Sequence, residues 1–181
     1  MAPDKDVDGF HRKNRNAFLE GKEGILFPVF PAAIIKLIEE AIKESPNRPR
    51  KTVIVCHSPE FGEVMKKAVR KIGLEGEFVF CEELKKTSPN KYARIILKRA
   101  DVVVTACGVP NLIDKKLVKR NAIIIDGGIT RENSKVVGDV NIDSIQETDC
   151  IVSPVPGGVG PVTVAMLLRN VYLASKNQAK K

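Results

Sequence analysis

An α/β fold, built as a Rossmann-like parallel sheet with helices on both faces, is predicted by three features of the sequence. Five short runs, TVIVC (52–56), EFVFC (77–81), DVVVTAC (101–107), AIIID (122–126) and CIV (150–152), are β-branched and almost continuously apolar, as strands covered on both faces are. Stretches with helical spacing separate the first of these runs. Strand and helix therefore alternate along the chain, which calls for parallel strands joined by right-handed crossovers.

The elements follow in order. Residues 1–30 are polar and turn-rich (DVDG, EGKEG, FPVFP) and read as an irregular lead-in. Ile34, Ile38, Ala41 and Ile42 mark a first helix, with Pro31 near its start and Pro46 beyond its end. After the first strand, Phe61, Val64, Met65, Ala68, Val69 and Ile72 follow an i, i+3, i+4, i+7 pattern that Gly73 stops. Residues 89–99 can form a shorter helix. Residues 162–174, VTVAMLLRNVYLA, carry only Thr163, Arg169 and Asn170 as strongly polar positions. Such a helix is apolar nearly all round and needs a second covering surface besides the sheet. Its main stripe, Val164, Leu167, Leu168, Val171 and Tyr172, is expected to pack inward, leaving Val162, Met166 and Leu173 on other faces. Three segments result: the lead-in (1–30), the sheet domain (31–160) and a terminal helix with a basic tail (161–181).

Composition narrows the function classes. A chain of 181 residues with 43% apolar and 29% charged residues has the balance of one globular domain. No apolar run approaches the ~18 residues of a membrane helix, and residues 1–10 lack the apolar core of a secretory signal. A cytoplasmic protein without membrane contact is the expectation. Cys56, Cys81, Cys107 and Cys150 lie far apart without a C-x-x-C pair, which argues against a zinc site or a disulfide scaffold and for buried thiols in a reducing compartment. No metal is expected. The net charge of +8 sits in amphipathic stretches such as KKAVRK (66–71) and KKLVKR (115–120), with no Trp and no interleaved aromatic residue. That pattern fits solvated helix faces rather than nucleic-acid binding, and a positive field suits an anionic small ligand.

The loop SPVPGGVGP (153–161) carries the most specific chemistry. Its prolines stiffen it, its glycines allow close backbone approach, and Pro161 suits the first turn of a following helix, whose unpaired amides can meet a ligand.

PVPGGVGPVTVAMLL, preceded by GDVN (138–141), resembles the signature of the methylenetetrahydrofolate dehydrogenase/cyclohydrolase family. KDVDGFH (5–11), FPVFP (27–31), ACGVPNLI (106–113) and IIIDGGI (123–129) are similar to that family's motifs in the same order. The resemblance implies the family's NAD(P)-binding domain: an oxidoreductase of folate one-carbon metabolism that moves a hydride between methylenetetrahydrofolate and a nicotinamide cofactor. It implies a cofactor site at Cys56, His57, Ser58, Gly62, Glu82, Glu83, Gly108, Pro110 and Ile129. A folate-type small molecule would meet Asp8 and the loop residues Pro156, Gly157, Gly158, Val159 and Gly160. No residue is assigned a catalytic role.

The departures carry their own expectations. The family's Tyr-x-x-x-Lys motif belongs to an upstream domain, so the chain is expected to be an excised fragment, or a short form completed by a partner, without cyclohydrolase activity. Tyr172 and Lys176 share that spacing, but on a terminal helix it only places both side chains on one face. Where the family reads Gly-Arg-Ser, this sequence has Cys56, His57 and Ser58; the arginine suited to an NADP 2′-phosphate is missing. Glu82 and Glu83 stand where an acidic residue accepts from a ribose hydroxyl, so NAD is favoured over NADP. Val29 and Phe30 replace a polar pair. The bulkier turn also admits a different function, a non-catalytic interaction or regulatory module that kept the fold and lost the nucleotide. The uncovered terminal helix predicts a homodimer or a missing partner domain.

Overall fold

The computed structural model describes residues 2–84 and 91–178. Its elements, in order, are α1 (Arg12–Glu20), α2 (Val29–Glu44), β1 (Lys51–Cys56), α3 (Pro59–Lys71), β2 (Glu75–Phe80), α4 (Tyr92–Leu97), β3 (Val102–Ala106), β4 (Ile123–Asp126), β5 (Thr130–Glu132), β6 (Lys135–Val137), α5 (Ile142–Ile145), β7 (Ile151–Val152) and α6 (Val159–Gln178). Five strands form one parallel sheet in the order β2-β1-β3-β4-β7. The five apolar runs are these strands, each within two residues of its expected start. The strand order reverses between β1 and β3, which opens a crevice at their carboxyl ends.

Alternate side chains along each strand feed two apolar layers. Ile54, Cys56, Val102, Val104, Ile123 and Ile125 face α2 and α3. Val53, Val55, Val103 and Ile124 face α4 and the loop residues Ile113, Leu117 and Val118. Burial on both sides explains why the strands read as continuous apolar runs. Helix α3 opens on Ser58, whose Oγ accepts from the Phe61 N–H at 3.1 Å, with Pro59 in the first turn. It closes at Gly73, which takes φ +81° just past the helix, a conformation that favours glycine.

Several expectations are corrected. Residues 12–20 of the lead-in are helical: His11 Nδ1 caps the Lys13 N–H at 3.2 Å, Gly21 ends the helix in the left-handed region, and only Ala17 and Phe18 are buried. Helix α2 begins at Val29 and α6 at Val159, both ahead of the expected segment boundaries. Residues 89 and 90 of the expected short helix lie outside the described residues, and α4 occupies its remainder from Tyr92. The exposed hairpin of β5 and β6, turning at Asn133 and Ser134, adds to the expected elements.

The stripes of α6 are also exchanged. Val162 and Met166 pack on the α2 side of the core, whereas Val164, Leu167, Leu168, Val171 and Tyr172 stand exposed, Leu168 at 65%. Asn170, the polar residue of that helix, is only 2% exposed and donates through Nδ2 to the Val7 and Phe27 carbonyls at 2.9 and 2.8 Å. It ties α6 to the lead-in. Cys81 and Cys107 form a disulfide, against the expectation of four free thiols; Cys56 and Cys150 remain free.

Candidate functional site

Two adjoining regions at the carboxyl edge of the sheet hold most of the expected site residues. The first is the crevice above β1 and β3. Here His57 follows β1, exposed, with Nε2 2.6 Å from the Cys107 carbonyl. A carbonyl only accepts, so that nitrogen carries the proton. Gly108 follows Cys107 with φ +62°, and its carbonyl accepts from Thr130 Oγ1 at 3.0 Å. Pro110 lies two residues further along the same turn. Cys56 points to the opposite face of the sheet; burial pushes its thiol up to about 11, so it stays protonated.

The first turn of α3 offers an anion little. Pro59 has no N–H, Glu60 places a negative charge there, and the Phe61 N–H is already taken by Ser58. Gly62 is buried in the first turns of α3. A Cβ there would lie within 3 Å of the Phe78 ring, so its smallness serves the packing of α3 on β2. Glu82 and Glu83 fall in a 3₁₀ turn, Cys81–Leu84, just beyond β2. Glu83 Oε1 accepts from the Phe80 N–H at 2.8 Å, which turns it back along its own strand; Glu82 is exposed.

The second region is a cavity of about 420 Å³ beside the ends of β4 and β7. Its walls are Phe30, Asp126, Gly127, Gly128, Ile129 and Val136 on one side and residues 154–161 with Thr163 on the other. Pro156, Gly157, Gly158, Val159 and Gly160 all line it, as does Ile129, which is 63% exposed. The Val155–Pro156 peptide is cis. A Cβ on Gly157 or Gly160 would meet nothing within 4 Å, so the backbone of the loop borders open space. A Cβ on Gly158 would strike the Pro154 carbonyl, which makes glycine obligatory there. Phe30, which replaces a polar residue of the family motif, supplies the aromatic wall.

Two buried carboxylates join the regions, and the motif reading gave neither a site role. Asp126 accepts from the Gly128, Asp139 and Val140 N–H groups at 2.9, 3.1 and 2.9 Å, while its own N–H donates to Ser153 Oγ at 2.8 Å. Burial raises its carboxyl above the usual value; the three N–H donors pull the other way. Asp139 accepts from Thr105 Oγ1, the Cys107 N–H and the Val109 N–H at 2.7, 2.7 and 2.8 Å. The glycine loop, the β4 end and the turn after β3 are thereby held in one network. Their sequence signal is a single acidic residue set against a glycine in IIIDGG and VVGDV.

Asp8 is not among the cavity's lining residues. Its side chain stands at the surface, where partial burial and then the charge of Asp6 raise its carboxyl. Its carbonyl accepts from the Val29 N–H at 2.9 Å, next to Phe30. The buried carboxylate of the lead-in is Asp6, which accepts from the Gly9 and His11 N–H groups and from Asn14 Nδ2. Tyr172 and Lys176 form an exposed pair on α6, with Nζ 4.7 Å from the ring centroid. Among the described residues, no helix is long and apolar enough to cross a membrane.

Residues 28–179 match the model of the tetrahydrofolate dehydrogenase/cyclohydrolase NAD(P)-binding domain. The bifunctional protein FolD of Methanosarcina mazei is 36% identical over 178 residues, covering 97% of this chain and 58% of that protein. Among solved structures, the bifunctional 5,10-methylenetetrahydrofolate dehydrogenase/cyclohydrolase of Thermoplasma acidophilum superposes with a TM-score of 0.83 at 27% identity, over 100% of this chain and 62% of that one. The Trypanosoma brucei N5,N10-methylenetetrahydrofolate dehydrogenase-cyclohydrolase, solved with NADP cofactor and inhibitor, gives 0.78 at 27% identity, over 100% and 61%. The chain thus spans about three-fifths of the length of these relatives.

Proposed function

The chain belongs to the tetrahydrofolate dehydrogenase/cyclohydrolase family, and on that premise we propose that it is the nicotinamide-cofactor platform for hydride transfer to or from a methylenetetrahydrofolate-type substrate. The observation that carries this reading is the glycine-lined cavity beside the crevice where the strand order reverses. Hydride transfer is mainly a positioning problem, because the cofactor carries the chemistry. When bound, the nicotinamide ring supplies the hydride acceptor. The residues present fit that end of the cofactor: Phe30, Ile129 and Val136 offer apolar walls, and the open backbone at Gly157 and Gly160 lets a flat ring approach. The same apolar walls would shield one side of the reacting carbon from water. The turn at Gly108 and Pro110, with His57 opposite, would receive the adenosine half. Asp8 can accept two parallel hydrogen bonds from an amino-pyrimidine edge of the folate. Hydrolysis of the methenyl form is not expected from these residues, since the Tyr-x-x-x-Lys spacing occurs in this sequence only at Tyr172 and Lys176, which do not line the cavity.

Calorimetric titration with NAD, NADP and a folate, singly and in pairs, tests the reading. NAD is expected to bind about tenfold more tightly than NADP, because no arginine stands at His57 and Glu82 repels a 2′-phosphate; Glu82→Arg should narrow the difference. Equal or tighter NADP binding overturns the preference. A second reading, an interaction module that lost the nucleotide, is favoured by the blocked first turn of α3 at Pro59, Glu60 and Ser58. Failure of both dinucleotides to bind would support it.

The reading extends to assembly. Val164, Leu167, Leu168, Val171 and Tyr172 form one outward apolar face on α6, and each such side chain left in water forgoes roughly 1.5–3 kcal/mol. A two-fold interface lets this face cover its own copy. Sedimentation at micromolar concentration should show a dimer that Leu168→Glu with Val171→Glu converts to a monomer. A wild-type monomer would refute self-association through α6.

A further inference from the structure

The Cys81–Cys107 disulfide lies across the mouth of the crevice. Cys56 ends β1 and pairs in register with Phe80 on one side and Ala106 on the other. Cys81 and Cys107 are the first residues past the two flanking strands, one position beyond the pair that Cys56 makes, as His57 is. Strands that flank a third are about 9–10 Å apart. The Cα atoms of Cys81 and Cys107 are 6.3 Å apart, so the chain just past β2 and β3 is drawn together over the end of β1. The Cys107 carbonyl closes the same gap from the β1 side by accepting from His57 Nε2 at 2.6 Å. An adenosine group bound at the switch point of such a sheet has to enter between these strand ends.

We infer that Cys81 and Cys107 form a thiol–disulfide exchange site that closes the adenosine half of the crevice when oxidised and opens it when reduced. The inference rests on the dinucleotide reading above. In the exchange, a dithiol reductant gives two electrons and two protons to the S–S bond; Cys81 and Cys107 become thiols and the reductant becomes its own disulfide. The site is confined to this pair. Cys56 lies in the opposite apolar layer, with its thiol protonated, and Cys150 contacts the Lys119 carbonyl elsewhere. Cys81 and Cys107 are 2% and 6% exposed, so exchange proceeds through opening of the turn that carries exposed Gly108. Asp139 holds that turn through the Cys107 and Val109 N–H groups, which keeps its base in place while its tip moves.

The test equilibrates the full chain with oxidised or reduced dithiothreitol, counts alkylated thiols by mass spectrometry after denaturation, and titrates each form with NAD and NADP. Two alkylated cysteines are expected in the oxidised form and four in the reduced form. The reduced form should bind NAD about tenfold or more tightly than the oxidised form. Cys81→Ser should bind as the reduced form does in either buffer, and Cys150→Ser should retain the difference. Four alkylated cysteines after oxidation, or equal or tighter binding by the oxidised form, would overturn the switch and leave the dinucleotide reading intact. No binding in either state, with none by Cys81→Ser, would overturn both.

Discussion

Replacing Asp139 with alanine is expected to lower the free energy of unfolding by about 3–6 kcal/mol, the largest effect of any single side chain in the site. The carboxylate is fully buried and accepts from one hydroxyl and two backbone N–H groups. Alanine leaves the Cys107 and Val109 N–H groups without a partner, and Thr105 Oγ1 with only its weak contact to Cys107 Sγ, in a place that water reaches poorly; each orphaned donor costs about 1–3 kcal/mol. Asparagine keeps one acceptor oxygen and should lose about half as much. Gly128→Ala tests the same contact from the other side, because its Cβ would collide with the Asp139 carboxylate. Urea titration of the three variants gives the measurement. A loss below about 1 kcal/mol for Asp139→Ala would show that water replaces the carboxylate at low cost.

Asn170→Ala is expected to cost about 2–4 kcal/mol and to free the lead-in before the sheet unfolds. The amide Nδ2 donates to carbonyls at Val7 and Phe27, on two separate parts of the segment that leads into α2. Without it both carbonyls lose their partner, and the Asp8 to Val29 link remains to hold that segment beside Phe30. Hydrogen exchange should therefore show faster exchange for α1 and residues 7–29, with β1, β3 and β4 still protected. Uniform loss of protection would mean that the lead-in and the sheet unfold together.

The sheet was legible because parallel strands covered on both faces must be apolar at successive positions, and the runs ending in Cys56 and Asp126 meet that demand. Helix α1 was not, since RKNRNAFLE buries only two side chains and is held by its caps at His11 and Gly21. The glycine loop announced itself through residues that few other settings require. Its aromatic wall did not: Phe30 becomes part of the site only because α2 carries it to Gly127, which has no room for a side chain beneath the ring. The orientation of α6 is not legible because apolar residues occupy every face of it, and the inward direction is set by a polar one, Asn170. The disulfide depends on the strand order, which brings together two cysteines separated by 26 positions, and local spacing carries no trace of that.

The contact between Asn170 and Val7 joins positions 163 residues apart, and this has a consequence for how the chain is made. On the ribosome the lead-in emerges early and α6 late. At about 5–20 residues per second, roughly ten to thirty seconds pass between the two. During that interval β1, β3 and β4 can already pair and receive α2, yet the Val7 and Phe27 carbonyls wait in solvent. A nascent chain arrested before position 170 would therefore pair its first strands and seat α2 on them, while the lead-in still lacks the donor that ties it down.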